Sequence, residues 1–209
     1  QRESFTLLAP RDYLVEAVIG DNIRGWWVEL EDNQVAFNRL AGIAVSSVLN
    51  TSSSFTQNKV VHSLTSLIQN QIVCNSGFGV TVFGARVEGT DNQILGTGWA
   101  PLLTVAYGLH VQGNSTVTWS GGSIAFGADV GLDVSASTSK PPGGTLVLDG
   151  SLIAQNAGGG VRIGQDSSAT LAAAEIVQNG HSGVLVSGGS VTLEGSRVAA
   201  NLPIDPVGI

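Results

Sequence analysis

The sequence predicts an all-β solenoid, a stack of coils that each contain three short strands. Six segments follow the pattern Gly, aliphatic, variable, aliphatic, and they begin at Gly42, Gly79, Gly108, Gly131, Gly160 and Gly183. Apolar residues alternate with a period of two between turn residues, and no window has the helical period of 3.6. Units this short cannot close a core of their own, so they must stack on one another.

A second column is aliphatic, and we expect its side chains to stack inward: Val35, Ile72, Ile124, Ile153, Ile176 and Val198. Asn or Gly follows each of these residues three positions later. Asn tolerates the left-handed backbone of a sharp corner, and its amide can bond the Asn of the next coil. The pattern therefore predicts a structural ladder of Asn38, Asn75, Asn156, Asn179 and Asn201.

A third column precedes the second and alternates apolar residues with residues that are mostly Thr, as in Val117-Thr118-Trp119. Trp119 occupies a position that is Leu in the following coils, so we expect it in the core. The interval from Gly160 to Gly183 gives a coil of 23 residues. The chain therefore has room for about six to eight coils.

These three columns resemble the right-handed parallel β-helix of the pectate-lyase-like superfamily, in particular its right-handed β-helix repeat members. The resemblance covers roughly residues 28–201 and implies a fold rather than an activity. We predict a cap or linking segment over residues 1–27 and a β-helix over residues 28–209.

Composition restricts the class of partner. The 209 residues include 28 Gly, 43% are hydrophobic and 12% are charged, which suits one elongated domain. A net charge of −7 leaves no basic stripe for phosphate, so nucleic acid is not an expected partner. No apolar run is long enough for a membrane span. An open edge is expected at the coil around Val198, which favours protein partners or self-association through the β-helix ends.

Two insertions interrupt the repeat, between Thr97 and Gly108 and between Val134 and Thr145. Loops on a rigid scaffold often carry binding functions, although simple surface decoration is the alternative. Trp99, Tyr107 and Lys140 are the predicted binding residues of these insertions.

The variable column contains three consecutive ionisable residues, His110, Asp133 and Arg162. Neighbouring coils lie about 4.8 Å apart, so these side chains should be adjacent on the outer face of one sheet. Opposite charges there would lower the pKa of Asp133. The simpler interpretation is a charge ladder on a solvated face, in which substitution of Asp133 by Asn changes stability by less than about 1 kcal/mol.

The family resemblance adds a catalytic interpretation of the same residues. In lyases and epimerases with this fold, an Arg or Lys base and acidic residues that bind Ca²⁺ or the uronate lie on one outer face. The resemblance therefore makes His110, Asp133 and Arg162 candidate catalytic residues. Asp129 and Asp133 are weak metal candidates, because Ca²⁺ needs several oxygen ligands. The favoured interpretation has no metal and no cofactor.

Two functions remain open. The favoured one is a non-catalytic module at an extracellular or cell-surface location, acting as a stalk, adhesin or assembly subunit, with polysaccharide as a further candidate partner. The alternative is a carbohydrate-active enzyme, namely a uronate polysaccharide lyase, epimerase or hydrolase. Insertions gathered around the charged column would favour the enzyme, whereas a bare column would favour the module.

Overall fold

The computed structural model describes residues 15–16, 27–36, 41–46, 64–98, 106–136 and 143–201. In these ranges the chain forms short strands that follow one another around six coils and into a seventh. The strands are β1 (Val15–Glu16); in coil 1, β2 (Trp27–Glu31), β3 (Gln34–Ala36) and β4 (Ala41–Ser46); in coil 2, β5 (Leu64–Ile68), β6 (Gln71–Val73) and β7 (Phe78–Phe83); in coil 3, β8 (Arg86–Thr90), β9 (Gln93–Leu95) and β10 (Leu109–Gln112); in coil 4, β11 (Thr116–Ser120), β12 (Ser123–Ala125) and β13 (Val130–Ser135); in coil 5, β14 (Thr145–Asp149), β15 (Leu152–Ala154) and β16 (Gly159–Ile163); in coil 6, β17 (Ser168–Ala172), β18 (Glu175–Val177) and β19 (Val184–Val186); and in coil 7, β20 (Ser190–Glu194) and β21 (Arg197–Ala199).

Strands at equivalent places in successive coils pair in parallel and form three sheets. Sheet 1 runs from β2 through β5, β8, β11, β14 and β17 to β20. Sheet 2 runs from β3 through β6, β9, β12, β15 and β18 to β21. Sheet 3 runs from β1 through β4, β7, β10, β13 and β16 to β19. The predicted fold, an all-β parallel helix with three strands per coil, is confirmed.

The predicted aliphatic column is the inward stack of sheet 2, with one addition. Ile94 pairs between Ile72 and Ile124, and it is buried like them. The sequence pattern missed Ile94 because Thr97, rather than Asn or Gly, follows it three residues later. Val198 holds the expected register but is 42% exposed in coil 7.

The repeated glycines are required by close approach between sheet 2 and sheet 3. A Cβ added to Gly108 would lie 2.3 Å from Ile124 Cγ2 and 2.5 Å from the carbonyl oxygen of Gly131. A Cβ on Gly79 would lie 2.2 Å from Ile94 Cγ2. The repeated glycines and the aliphatic column therefore pack directly against each other, and a larger residue at a glycine position would require a smaller one in the aliphatic column.

Trp119 is fully buried in the core, as predicted. It pairs with Gly89 of coil 3, and a Cβ on Gly89 would lie 2.2 Å from the indole. The large side chain in coil 4 therefore fits because coil 3 has no side chain opposite it.

Asparagine amides stack along the predicted corner, which connects sheet 2 to sheet 3. Asn156 Nδ2 donates to Asn179 Oδ1 over 3.0 Å, and Asn179 Nδ2 donates to Asn201 Oδ1 over 2.9 Å. Asn75 lies buried at the same corner, whereas Asn38 is outside the described residues. These asparagines do not take the left-handed backbone themselves. The preceding residue does so, for example Gln178 with φ 56°, because the Asn side chain must turn inward at the corner.

A second amide ladder, which the sequence pattern missed, lies at the corner between sheet 1 and sheet 2. Asn33 Nδ2 donates to Asn70 Oδ1 over 3.1 Å, and Asn70 Nδ2 donates to Asn92 Oδ1 over 2.9 Å. The signal was present as the repeated Asn-Gln-aliphatic triplet that begins at each of these residues. This ladder joins coils 1 to 3. The predicted ladder joins coils 4 to 7, and its member Asn75 also donates from coil 2 to the Val35 carbonyl of coil 1 over 3.4 Å.

The predicted boundary between residues 1–27 and the β-helix stays a prediction, because most of that segment is outside the described residues. Within it, Val15 and Glu16 form β1, which pairs in parallel with β4.

Candidate functional site

The three ionisable residues of the variable column lie side by side on sheet 3. His110 pairs in register with Asp133, and Asp133 pairs with Arg162. His110 Nε2 lies 3.2 Å from Asp133 Oδ2, and Arg162 Nε donates to Asp133 Oδ1 over 2.5 Å. Strands β10, β13 and β16 thus bring the predicted triple into direct contact.

The solvated charge ladder that the sequence favoured is wrong for this face. Asp133 is 1% exposed and His110 is 7% exposed. Two aromatic rings account for the burial of His110: Phe78 stacks on it at a centroid distance of 5.1 Å, and Tyr107 meets it edge-on at 4.8 Å. The carboxylate is therefore shielded from water, and its neighbour His110 is packed against two aromatic rings.

Phe78 and Tyr107 were not recognised from the sequence as part of this group. Each directly precedes a repeated glycine, Gly79 or Gly108, in consecutive coils. The ring of each can therefore reach sideways over the outer face of sheet 3. An aromatic residue at that place in two neighbouring coils was the available signal.

Tyr107 also contacts Arg162 across coil 4. Arg162 Nη2 donates a hydrogen bond to the Tyr107 hydroxyl, and the guanidinium carbon lies 4.9 Å from the ring centroid. Coil 3 and coil 5 are therefore joined directly, past the coil that carries Asp133. We call the group of Phe78, Tyr107, His110, Asp133, Ser135 and Arg162 the Asp133 cluster.

Both oxygens of Asp133 are engaged within this cluster. Ser135, the next outward residue on β13, donates its hydroxyl to Asp133 Oδ2 over 2.9 Å. Oδ2 also faces His110, and Oδ1 accepts from Arg162. The carboxylate thus has three neighbours inside the protein.

These contacts determine the protonation of the cluster. Burial alone would raise the pKa of Asp133, but the hydrogen bonds from His110 and Arg162 outweigh burial and hold the pKa below its ordinary value. Burial opposes the charge on Arg162, yet Asp133 raises the pKa of that guanidinium above its ordinary value. Burial, followed by the nearby Asp133 charge, raises the pKa of Tyr107. Asp133 and Arg162 are thus an ion pair, and Tyr107 keeps its proton at neutral pH.

The residues present do not fit the Ca²⁺ site that the family resemblance allows. The oxygens of Asp133 already accept from neighbours, and Asp129 Oδ2 faces the backbone N–H of Ala106 at 3.5 Å. In the described parts of the chain, no three His, Cys, Asp or Glu side chains form a group able to hold a metal ion. A cation would have to displace internal hydrogen bonds to gain two ligands.

The other predicted binding residues divide into two groups. Trp99 and Lys140 are outside the described residues. Tyr107 is described and is only 6% exposed, so a sugar ring could stack on it only after its neighbours moved. Its binding role stays a prediction.

The described chain borders both insertions close to the Asp133 cluster. Ala106, where the chain resumes after the first insertion, is next to Tyr107, and Ala136, the last described residue before the second insertion, is next to Ser135. The insertions themselves are outside the described residues, so the expectation that they gather around the charged column stays a prediction.

Elsewhere on the described surface, Arg197 Nη1 contacts Glu175 Oε1, and both side chains are largely exposed. Glu175 and Arg197 pair in register on β18 and β21 and form a surface salt bridge between adjacent coils. No helix long and apolar enough for a bilayer occurs in the ranges that the structure describes.

The fold and this sheet face define a class: a solenoid of parallel strands with a compact polar cluster on the outer face of sheet 3. The family described as right handed beta helix region matches residues 17–198, so the chain belongs to the right-handed β-helix family. No curated protein sequence and no solved structure matches the chain. Membership defines the fold and its hand, and it leaves the activity open.

Proposed function

We propose that this chain is a non-catalytic β-helix module, secreted or displayed at the cell surface, that acts as a stalk, adhesin or assembly subunit. One observation carries the proposal. Asp133, the acidic residue of the predicted catalytic triple, is 1% exposed, and each of its oxygens faces a donor from within the protein. A carboxylate in that state holds the protein together instead of meeting a substrate.

Proton transfer by this cluster would be unfavourable. A general base must reach the proton that it abstracts and must be able to accept it. Asp133 is ionised, but Arg162, His110 and Ser135 occupy its oxygens. Arg162 has a raised pKa and so keeps its proton, which opposes the role of the base in a lyase.

A carbohydrate-active enzyme is the second candidate, and two observations favour it. The points at which the described chain borders the two insertions, Ala106 and Ala136, are next to Tyr107 and Ser135 of the cluster, so the insertions are candidate walls of a cleft. Arg162 also has a side chain that is 36% exposed, so part of the guanidinium could meet an acidic sugar. A substrate carboxylate would then compete with Asp133 for the same cation.

Partners of a module would bind its faces or its ends. Val186, Leu193 and Val198 are 42–47% exposed, whereas their equivalents one coil earlier, Ile163, Leu171 and Ile176, are fully buried. A further coil, supplied by this chain or by a partner, would cover them. Protein partners or self-association at the β-helix ends are therefore proposed, with polysaccharide as a further partner.

The deciding experiment compares turnover in three proteins: the unmodified chain, Asp133→Asn and Glu175→Gln. Glu175→Gln is the matched control, because it neutralises an exposed paired carboxylate far from the Asp133 cluster. Each protein is incubated with polygalacturonate and alginate, and unsaturated ends, reducing ends and uronate stereochemistry are measured. We expect no turnover by any of the three. If the unmodified chain and Glu175→Gln both turn over a polysaccharide and Asp133→Asn does not, the chain is a carbohydrate-active enzyme and the proposal of a non-catalytic module is wrong.

A further inference from the structure

The two amide ladders leave one interior interface of the solenoid without an asparagine bond. Asparagine side chains join coil 1 to coil 2 and coil 2 to coil 3 through Asn33, Asn70 and Asn92. They join coil 4 to coil 5, coil 5 to coil 6 and coil 6 to coil 7 through Asn156, Asn179 and Asn201. Between coil 3 and coil 4, no such bond exists among the described residues.

Coil 4 has glycine at both corners, whereas coil 3 carries Asn92 at the first corner and coil 5 carries Asn156 at the second. At the first corner, Gly122 follows Asn92 and has φ 71°, and a Cβ there would lie 2.1 Å from the Asn92 carbonyl oxygen. No side chain can replace that glycine without moving backbone. At the second corner, Gly127 stands between Thr97 and Asn156, and its N–H donates to Asn156 Oδ1 over 3.0 Å.

The Asp133 cluster crosses this same interface. His110 of coil 3 contacts Asp133 of coil 4, and the Arg162–Tyr107 bond spans from coil 5 to coil 3. Other described side-chain bonds across the interface are longer: Ser120 Oγ lies 3.5 Å from the Gly89 carbonyl, and Asp129 lies 3.5 Å from Ala106 N. Hydrogen bonds to charged groups are stronger than those between neutral amides.

We propose that the interface between coil 3 and coil 4 is the interior interface at which this β-helix opens most readily, and that the Asp133 cluster is the clasp that holds it closed. The stability of a solenoid is approximately the sum of the stabilities of its coils and of the interfaces between neighbouring coils. The chain therefore opens most often at the interface with the smallest stabilising energy. Where an asparagine bond is missing, the cluster supplies the contact between His110 and Asp133 and the hydrogen bond from Arg162 to Tyr107. This role is independent of whether the chain turns over a polysaccharide.

Native-state hydrogen exchange tests the proposal with amides at matched positions. Ser123 N–H bonds the Asn92 carbonyl and Gly96 N–H bonds the Ala125 carbonyl, both across the coil 3 to coil 4 interface. Glu175 N–H and Gln155 N–H make the equivalent bonds between coil 5 and coil 6. In Asp133→Asn, we expect the first two amides to exchange at least about tenfold faster and the reference amides to keep their rates, since a charged hydrogen bond is worth about that factor.

Restoring an amide should reverse the effect. In the existing ladder, Asn156 Nδ2 donates to the Ile124 carbonyl one coil earlier. A side-chain amide at position 127 would reach the Ile94 carbonyl in the same way. A Cβ on Gly127 would lie 2.9 Å from Asn156 Oδ1 and from Thr97 Oγ1, so both side chains must shift by a few tenths of an ångström to admit it. We expect Gly127→Asn to slow exchange at the interface and to restore protection when combined with Asp133→Asn.

Several results would overturn the clasp. Equal acceleration of Glu175 and Gln155 in Asp133→Asn would mean global destabilisation, and unchanged exchange at Ser123 would mean that the cluster holds nothing there. If Asp133→Asn does not fold, Tyr107→Phe serves instead, because it removes only the hydroxyl that accepts the hydrogen bond from Arg162. This variant should speed hydrogen exchange at the Ser123 and Gly96 amides by a smaller factor. Failure of both Tyr107→Phe and Gly127→Asn to change exchange at Ser123 would equally refute the proposal.

Discussion

Substitution of Asp133 by Ala tests the energetic importance of the cluster. The change removes an acceptor that is 1% exposed and leaves His110, which is 7% exposed, without its partner. Removal of one partner of a buried ion pair typically costs about 3–5 kcal/mol in the free energy of unfolding. The side chain of Arg162 is 36% exposed and can regain water, which reduces the cost. We therefore expect a loss of about 2–3 kcal/mol in the free energy of unfolding.

Urea denaturation followed by circular dichroism measures this loss, and Glu175→Ala is the control. The Glu175–Arg197 pair is largely exposed on both sides, so its removal should cost less than about 1 kcal/mol. A double-mutant cycle with Arg162→Ala should return a coupling energy of about 1–2 kcal/mol. Equal losses for Asp133→Ala and Glu175→Ala, or no coupling between Asp133 and Arg162, would show that burial of the cluster contributes nothing.

Three further predictions concern the core, the glycine column and acid. Ile153→Ala should cost about 2–5 kcal/mol in urea unfolding, because Ile153 is fully buried between two other isoleucines. Gly108→Ala should lower the melting temperature more than Gly150→Ala, since the new methyl group at position 108 meets Ile124 and backbone, whereas the one at position 150 meets open space and adds only the strain of a left-handed backbone with φ 63°; the reverse order would contradict the packing argument. Burial is outweighed by the hydrogen bonds from His110 and Arg162, which hold the folded-state pKa of Asp133 below its ordinary value of 3.8, so its stabilising contribution is full above that pH and is lost as the pH falls through the folded pKa. Acid titration of the melting temperature should therefore show a steeper fall below that pH for the unmodified chain than for Asp133→Asn.

Most of the fold could be predicted because the same pattern recurs in six segments. The glycine column and the aliphatic column pack against each other in successive coils, as Gly108 packs against Ile124. The place of Ile94 in the aliphatic column was not predicted, because its corner residue is Thr97 rather than Asn or Gly. The ladder of Asn33, Asn70 and Asn92 escaped because the asparagine lies before the aliphatic residue instead of after it.

The composition of the site was less predictable than its position. Period-two alternation places His110, Asp133 and Arg162 on one face, and the structure brings them into contact. Alternation cannot show that a face is covered by side chains from a neighbouring coil. Phe78, the first residue of β7, and Tyr107, just before β10, both pack on His110, and the strand period does not describe such contacts.

The pairing of Trp119 with Gly89 limits how the coils of this protein could be rearranged. Repeat proteins are often treated as strings of interchangeable units that can be duplicated, deleted or recombined. Here coil 4 carries a side chain that fits only above a coil with no Cβ at the opposing place. Deleting coil 3 would put the indole against Leu67 of coil 2, which fills the same column. The order of coils 3 and 4 is thus encoded in the core itself, and any shortened or extended version of the solenoid must keep these two as neighbours.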